Sequence, residues 1–257
     1  MSSFSFENQA AIVTGAGQGI GFEIARQLSI KGASVLLNDI DESLATESAS
    51  KIHEEGGTCI AMPGDASNVP FVRSMVNEAV EQFGHLTLAV ANAGITLFGD
   101  FFDYEPETLQ KVMNLNLNGT FFLTQAVARQ FKKQGKGGSI LLMSSVTGHQ
   151  AHKNLTAYGM TKAGIEMLAK SLVIELSPHH ININTIAPGA TLTERTQQDK
   201  DYEQTWSHLT PMGRPGTVQD IANAALFLLS PDSRHITGQN LIIDGGWSSV
   251  SPSPYQN

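Results

Sequence analysis

The chain has one cysteine, Cys59, among its 257 residues, so no disulfide can form within it. A lone thiol fits a reducing compartment, and the cytoplasm is the expected location. Basic residues are scarce: 16 Lys and Arg stand against 24 Asp and Glu, for a net charge of −8. That balance argues against nucleic acid or an anionic membrane surface as a partner. No apolar run approaches the ~20 residues that a membrane helix needs. The start, Met1-Ser2-Ser3-Phe4-Ser5-Phe6, has neither a basic stretch nor a long apolar core, so no signal peptide is expected. No Cys/His spacing suggests zinc. His179 and His180 are adjacent and would point apart on an extended chain, so a solvated loop is expected there and no metal.

What is present is an ordinary globular balance, 41% hydrophobic and 16% charged, in a chain long enough for one large core. Apolar runs that read as strands fall at 10–14, 34–38, 58–62, 87–91, 139–143, 181–186 and 240–243, with amphipathic helical patterns between them. No linker or low-complexity break interrupts the alternation before the tail. The pattern predicts an α/β fold: one domain over 1–257, built as a single Rossmann-type, doubly wound parallel sheet with helices on both faces. In such a fold the site lies where strand order reverses, outside the C-terminal strand edge. Gly15, Asp39, Asn92, Ser145 and Pro188 all fall at or just past strand ends.

Three patterns carry chemistry. Thr14-Gly15-Ala16-Gly17-Gln18-Gly19-Ile20-Gly21 follows an apolar strand and opens a helix. Turn glycines let the backbone approach a pyrophosphate, and the helix start supplies N–H groups and a positive dipole end. The strict G-x-G-x-x-G spacing is not met; the pattern is T-G-x-x-x-G-x-G. Asp39 ends the next strand, about 20 residues on, where an acidic side chain accepts from the adenosine ribose hydroxyls. A carboxylate there repels a 2′-phosphate, and Ala16 and Gln18 offer no compensating cation, so NAD is the expected cofactor. Asp41 is the better candidate for the cap of the helix near Glu42. Tyr158 and Lys162, at i and i+4, share one helix face. A phenol is a poor base at neutral pH, with a reference value of about 10. A neighbouring ammonium stabilises the phenolate, and the pair can then move a proton to or from an alcohol oxygen. Ser144-Ser145 precede this pair at the end of a strand.

Together these residues resemble the short-chain dehydrogenase/reductase family along nearly the whole chain. Thr14 to Gly21 matches its glycine motif, and Gly64-Asp65-Ala66 matches the region of its adenine-contacting Asp. Asn92-Ala93-Gly94 matches its strand-end motif, and Asn116-Leu117-Asn118-Gly119 its N-L-x-G segment. Ser145, Tyr158 and Lys162 match the catalytic Ser, Tyr and Lys, Pro188-Gly189 the turn by the nicotinamide, and Asp244-Gly245-Gly246 the C-terminal D-G-G. Ser145 rather than Ser144 stands at the family's usual spacing from the Tyr, and Asn116 rather than Asn114 or Asn118 directly precedes the Leu-x-Gly portion. The resemblance implies a catalytic set of Asn116, Ser145, Tyr158 and Lys162. It implies cofactor contacts from Gly15, Gln18, Gly19, Ile20, Asp39, Asp65, Ala66, Asn92, Gly94, Tyr158, Lys162, Pro188, Gly189, Thr191 and Thr193. It also implies a homotetramer of D₂ symmetry, built on helices near 105–134 and 157–177 and on the C-terminal region.

The mechanism implied is hydride transfer between a nicotinamide and an alcohol or carbonyl carbon. Tyr158 exchanges the proton, Ser145 holds the substrate oxygen, Lys162 supports the Tyr and binds the nicotinamide ribose, and Asn116 holds a relay water. Two segments are expected to shape the substrate pocket: the loop His149-Gln150-Ala151-His152-Lys153-Asn154, and the lid at about 190–212. With Ser145 and Tyr158, the loop residues Gln150, His152 and Asn154 are the candidate substrate contacts. Their polarity would match a polyhydroxylated substrate, although loops are polar because they face water. The tail over 247–257 resembles the extended ends of sugar 1-dehydrogenases in the family. The leading expectation is therefore an NAD-dependent sugar 1-dehydrogenase acting on a small molecule. A 3-oxoacyl-thioester reductase is the alternative; Asp39 and the Ile174-Glu175 pair disfavour it, while Arg129, Lys132, Lys133 and Lys136 mildly favour it. A non-catalytic NAD-binding regulatory protein is a third reading, opposed by the intact Asn-Ser-Tyr-Lys set.

Overall fold

The computed structural model describes residues 5–251. The last six positions of the tail, 252–257, and any role expected of them lie outside the described residues.

Among the described residues nine strands and eight α-helices follow in chain order. The strands are β1 (Ala10–Thr14), β2 (Ser34–Asn38), β3 (Thr58–Ala61), β4 (Leu88–Ala91), β5 (Gly138–Met143), β6 (Ile181–Pro188), the two-residue β7 (Thr191–Leu192) and β8 (Gly216–Thr217), and β9 (Asn240–Ile243). The helices are α1 (Gly19–Ile30), α2 (Glu42–Glu54), α3 (Val69–Phe83), α4 (Pro106–Met113), α5 (Thr120–Gln134), α6 (Thr156–Leu176), α7 (Tyr202–Leu209) and α8 (Val218–Leu229). Seven strands form one sheet in the order β3-β2-β1-β4-β5-β6-β9, every pair parallel. Each expected strand is there, and β1, β2 and β9 have the expected bounds.

The central strands are buried on both faces of the sheet, and the two-residue period of a strand sorts their side chains between two cores. Ala11, Val13, Val35, Leu37 and Leu141 face a core completed by Ile24 and Leu28 of α1, Ile52 of α2 and Ile221 and Leu226 of α8. Ile12, Leu36, Ile140 and Leu142 face the opposite one, completed by Val72 and Met75 of α3, Val127 and Phe131 of α5 and Ile165 of α6. Cys59 is buried in the first core, and burial pushes its thiol up to about 12, so it is a packing residue.

Strand order reverses between β1 and β4, whose connections run to opposite sides, and the crevice opens above their C-terminal ends. Local signals fix the elements around it. Asp41 caps α2 by accepting from Leu44 N–H at 3.1 Å, as expected. Asn68 caps α3, which ends at Gly84 in the left-handed region at φ 77°. Thr217 and Asp220 close a capping box on α8. Between α4 and α5 the chain winds as a π turn over Asn114–Gly119, a feature the sequence did not announce. Ser177–His179 forms a short 3-10 turn and His180 is exposed. No helix among the described residues is long and apolar enough to cross a membrane.

Candidate active site

A cleft of about 650 Å³ lies at the reversal point. Its floor is the glycine turn. Gly15 and Gly19 sit at φ +59° and +62°, where a side chain is strained. A Cβ on Gly21 would stand 2.4 Å from both the Gly15 carbonyl and Asn92 Nδ2. The turn is braced from two sides. Asn92 donates to the carbonyls of Thr14 (3.0 Å) and Gly15 (2.7 Å), and Ser48 of α2 donates to that of Gly17 at 2.7 Å. The residue before α1, Gln18, makes no side-chain cap, so the first-turn N–H groups meet the cleft without one.

The other walls carry residues expected to contact a dinucleotide. Asp39 is held by N–H groups of Gly17 (2.9 Å) and Asp41 (3.1 Å), one on each carboxylate oxygen. Asn38, almost fully buried, donates to the carbonyls of Met62 and Gly64 at 3.0 Å and so sets the turn that presents Asp65 and Ala66. Gly15, Gln18, Gly19, Ile20, Asp39, Asp65, Ala66, Asn92, Gly94 and Thr193 all line the cleft. Glu194 and Arg195 of the expected lid line it too, as do Lys111 and Leu115, which no sequence motif marked. The glycine cradle, the uncapped helix start and the fixed carboxylate suit a dinucleotide: the pyrophosphate at α1 and a ribose at Asp39. Tyr158, Lys162, Pro188, Gly189 and Thr191 are not among the cleft's lining residues. Lys162 abuts its wall, since a Cβ on Gly94 would lie 3.6 Å from Lys162 Nζ and 3.2 Å from Asn116 Oδ1.

The proposed catalytic residues gather around α6. Lys162 is 3% exposed; its ammonium donates to the Met143 carbonyl at 2.7 Å and lies 5.3 Å from the centre of the Tyr158 ring. Ser145 stands at the end of β5, its hydroxyl accepting from Thr147 N–H at 3.3 Å. Ser144 is turned elsewhere: its buried hydroxyl donates to Glu166 at 2.7 Å and to the Lys162 carbonyl at 3.2 Å. Asn116 is fully buried within the π turn. It accepts from Ile95 N–H (2.9 Å) and donates to the Ile95 carbonyl (3.0 Å) and to Thr161 (3.1 Å). Asn114, by contrast, bonds Gln110 and Asn118 near the surface. A single-turn π bulge often marks a functional position, and here it carries the asparagine of interest.

The segments expected to shape a substrate pocket make contacts of their own. Gly189 donates to the Ile243 carbonyl at 2.9 Å, and its missing Cβ leaves room for Asp244. Burial works to raise the Asp244 carboxyl, but hydrogen bonds from Ser248 and Gly246 outweigh it and hold the group below its usual range. Thr191 N–H donates to the Tyr202 hydroxyl at 3.2 Å, and Thr193 comes down on Gly19. In the loop after Ser145, His149 faces Glu166 at 3.3 Å and His152 lies beside Trp247. Exposed Asn154 sits at φ 62°, and its carbonyl accepts from Gly99 N–H at 3.1 Å. Among the described residues no group of three His, Cys, Asp or Glu could hold a metal ion.

Residues 15–248 match the family model described as Enoyl-(Acyl carrier protein) reductase. The L-rhamnose-1-dehydrogenase of Scheffersomyces stipitis is 39% identical, over 91% of this chain and 93% of that one. The L-rhamnose 1-dehydrogenase (NAD(P)(+)) of Azotobacter vinelandii is 37% identical, over 93% of this chain and 96% of that one. A crystal structure of a short-chain type dehydrogenase/reductase from Mycobacterium marinum superposes with a TM-score of 0.91 at 31% identity, covering 95% of this chain and 97% of that one. On fold, site geometry and likeness over nine-tenths of its length, the chain belongs to the short-chain dehydrogenase/reductase family of oxidoreductases.

Proposed function

We propose that the chain is an NAD-dependent dehydrogenase that oxidises an aldose at C1 to its lactone. The observation that carries the substrate class is the likeness, over more than nine-tenths of the chain, to two enzymes named as L-rhamnose 1-dehydrogenases. The preference for NAD is supported by Asp39, whose carboxylate is fixed at the cleft wall by two N–H groups. A 2′-phosphate would meet that charge at close range.

In this reading the sugar's C1 hydroxyl lies between Ser145 and Tyr158. Ser145 donates a hydrogen bond to the oxygen, and the Tyr158 oxygen accepts its proton. The charge of Lys162, 5.3 Å from the ring centre, stabilises the anionic oxygen that does so. Gly94 and Pro188 would help hold a nicotinamide here, and that group would supply the acceptor for the hydride leaving C1. Asn116 fixes the backbone of Ile95 beside Gly94 and keeps the wall against Lys162 in register. Gln150, His152 and Asn154 form the substrate loop, the lid over 190–212 covers it, and 1–257 acts as one domain.

A homotetramer is part of the proposal. Met167 and Ile174 of α6 are 61% and 83% exposed, and Leu241 and Ile242 of β9 present further apolar surface at the sheet edge, so self-association would bury them. The functional test follows NADH absorbance with NAD and a panel of L-rhamnose, other aldoses, deoxy sugars, 2-butanol, cyclohexanol and an acetoacetyl thioester. Highest kcat/KM on an aldose supports the reading; highest on a simple alcohol or the thioester refutes the sugar assignment and leaves the family intact.

A further inference from the structure

The chain has two tryptophans in all, and the fold brings them together. Trp206 of α7 and Trp247, just beyond β9, meet edge to face, with ring centres 5.1 Å apart and planes at 87°. Tyr202 lies 6.1 Å from Trp206 on one side, and His152 lies 6.5 Å from Trp247 on the other. These rings come from three segments that leave the C-terminal ends of β5, β6 and β9, adjacent strands of the sheet. The same ends carry Ser145 and Pro188. The backbone locks the segments to each other: Met212 N–H donates to the Gly245 carbonyl at 3.2 Å, and a Cβ on Gly245 would strike Thr210 at 2.5 Å. An aromatic row is thus built across the lid, the C-terminal turn and the loop that joins Ser145 to Tyr158.

A second, separate observation lies on that loop. Thr147 Oγ1 and Gln150 Oε1 are buried oxygens with no hydrogen-bond partner among the described residues. Buried polar atoms are as a rule paired, and an unpaired one costs about 1–3 kcal/mol. Both acceptors sit on one turn, where a donor entering the site would satisfy them. The turn rests against the catalytic helix next to Tyr158, because a Cβ on Gly159 would lie 2.9 Å from the Thr147 carbonyl.

Aromatic faces together with unpaired acceptors suit a pyranose ring. Its axial C–H groups carry partial positive charge and are drawn to the negative face of a π system, while its hydroxyl edge donates hydrogen bonds. We propose that His152, Trp206 and Trp247 form one wall of a sugar subsite, and that Thr147 and Gln150 receive the sugar's hydroxyls. The inference rests on the aldose reading and extends it to the residues that select the ring.

Two experiments test it, with the best-oxidised aldose from a panel headed by L-rhamnose as probe. The first compares Trp247→Ala, Trp247→Phe and Trp206→Ala. Each alanine variant should raise the sugar KM about tenfold, with kcat within threefold and the Kd for NADH unchanged. Trp247→Phe should recover most of the loss, which a purely structural role would not single out. The second titrates the sugar into the Tyr158→Phe enzyme saturated with NAD, where turnover does not confuse the signal. Since both tryptophans lie in the wall, their emission should change saturably near the KM. Unchanged KM in stable alanine variants, or silent emission on a sugar that the wild type oxidises, overturns the subsite alone. If the alanine variants fail to fold, the emission titration decides by itself. A wild type that oxidises no aldose but turns over another alcohol overturns the subsite together with the sugar reading.

Discussion

Replacing Asn116 by alanine should cost stability and cofactor affinity together, and the structure sets the size. The side chain is fully buried and makes three hydrogen bonds, two of them to the backbone of Ile95. Truncation leaves the Ile95 N–H and carbonyl without these partners in a half-buried setting. Thr161 keeps another partner, since its hydroxyl still donates to the Tyr158 carbonyl at 2.7 Å. Two orphaned backbone groups at about 1–2 kcal/mol each give a loss of roughly 2–4 kcal/mol. For a domain of this size each kcal/mol moves Tm by about 2–4 °C, so a fall of about 4–16 °C is expected. The affected backbone continues from Gly94, which lies against Lys162, so the Kd for NADH should rise at least several-fold. Calorimetry and NADH fluorescence titration on the same preparations measure both. A Tm within 2 °C of wild type would refute the argument that these hydrogen bonds clamp the π turn to the strand end. An unchanged Kd with a lowered Tm would confine Asn116 to stability.

Three further outcomes follow from local geometry. Gly21→Ala places a methyl 2.4 Å from backbone and from Asn92, so NADH affinity should fall at least tenfold; full affinity in a titration would place the cofactor elsewhere. Asp39→Ser removes the charge that a 2′-phosphate would meet, so the ratio of kcat/KM for NAD over NADP should drop by tenfold or more; an unchanged ratio would sink the Asp39 assignment. The Arg214 side chain holds the Asp220 carboxyl down to about 2, helped by bonds from Thr217. Because that folded-state value is depressed, the contribution is complete above the ordinary carboxylate range near 4 and is lost as pH falls toward 2. Asp220→Asn should therefore lower Tm at pH 7 and leave it nearly unchanged at pH 2; equal effects at both would refute the pairing.

The fold was largely legible because its signals are local. Apolar strand runs, the glycine turn after β1 and the cap at Asp41 each act within a few residues. The positions of the candidate residues at strand ends were legible for the same reason. What escaped depends on contacts distant in sequence. The π turn exists where Asn116 reaches Ile95, which no helix pattern announces. Asn92 matched a motif, yet its amide braces the glycine turn through the carbonyls of Thr14 and Gly15. The choice of Ser145 over Ser144 rested on spacing; the structure adds that Ser144 is turned into Glu166. The β7–β8 pair and the Trp206–Trp247 contact join segments far apart in the chain, so periodicity could not show them. Polar loop composition pointed at the His149–Asn154 loop but could not separate Gln150, with its unpaired oxygen, from Asn154, whose side chain stands at the surface.

The central claim is that Tyr158 exchanges the proton of a sugar hydroxyl beside a bound nicotinamide, and Tyr158→Phe tests it most directly. The substitution removes one oxygen and leaves the ring beside Lys162 in place. Kd for NADH by fluorescence and kcat for aldose oxidation by NADH absorbance are measured on the same variant. The account predicts a Kd within about threefold of wild type and a kcat lowered by roughly 10²–10⁴, the usual worth of a positioned acid–base group. A kcat within a few-fold of wild type would contradict it.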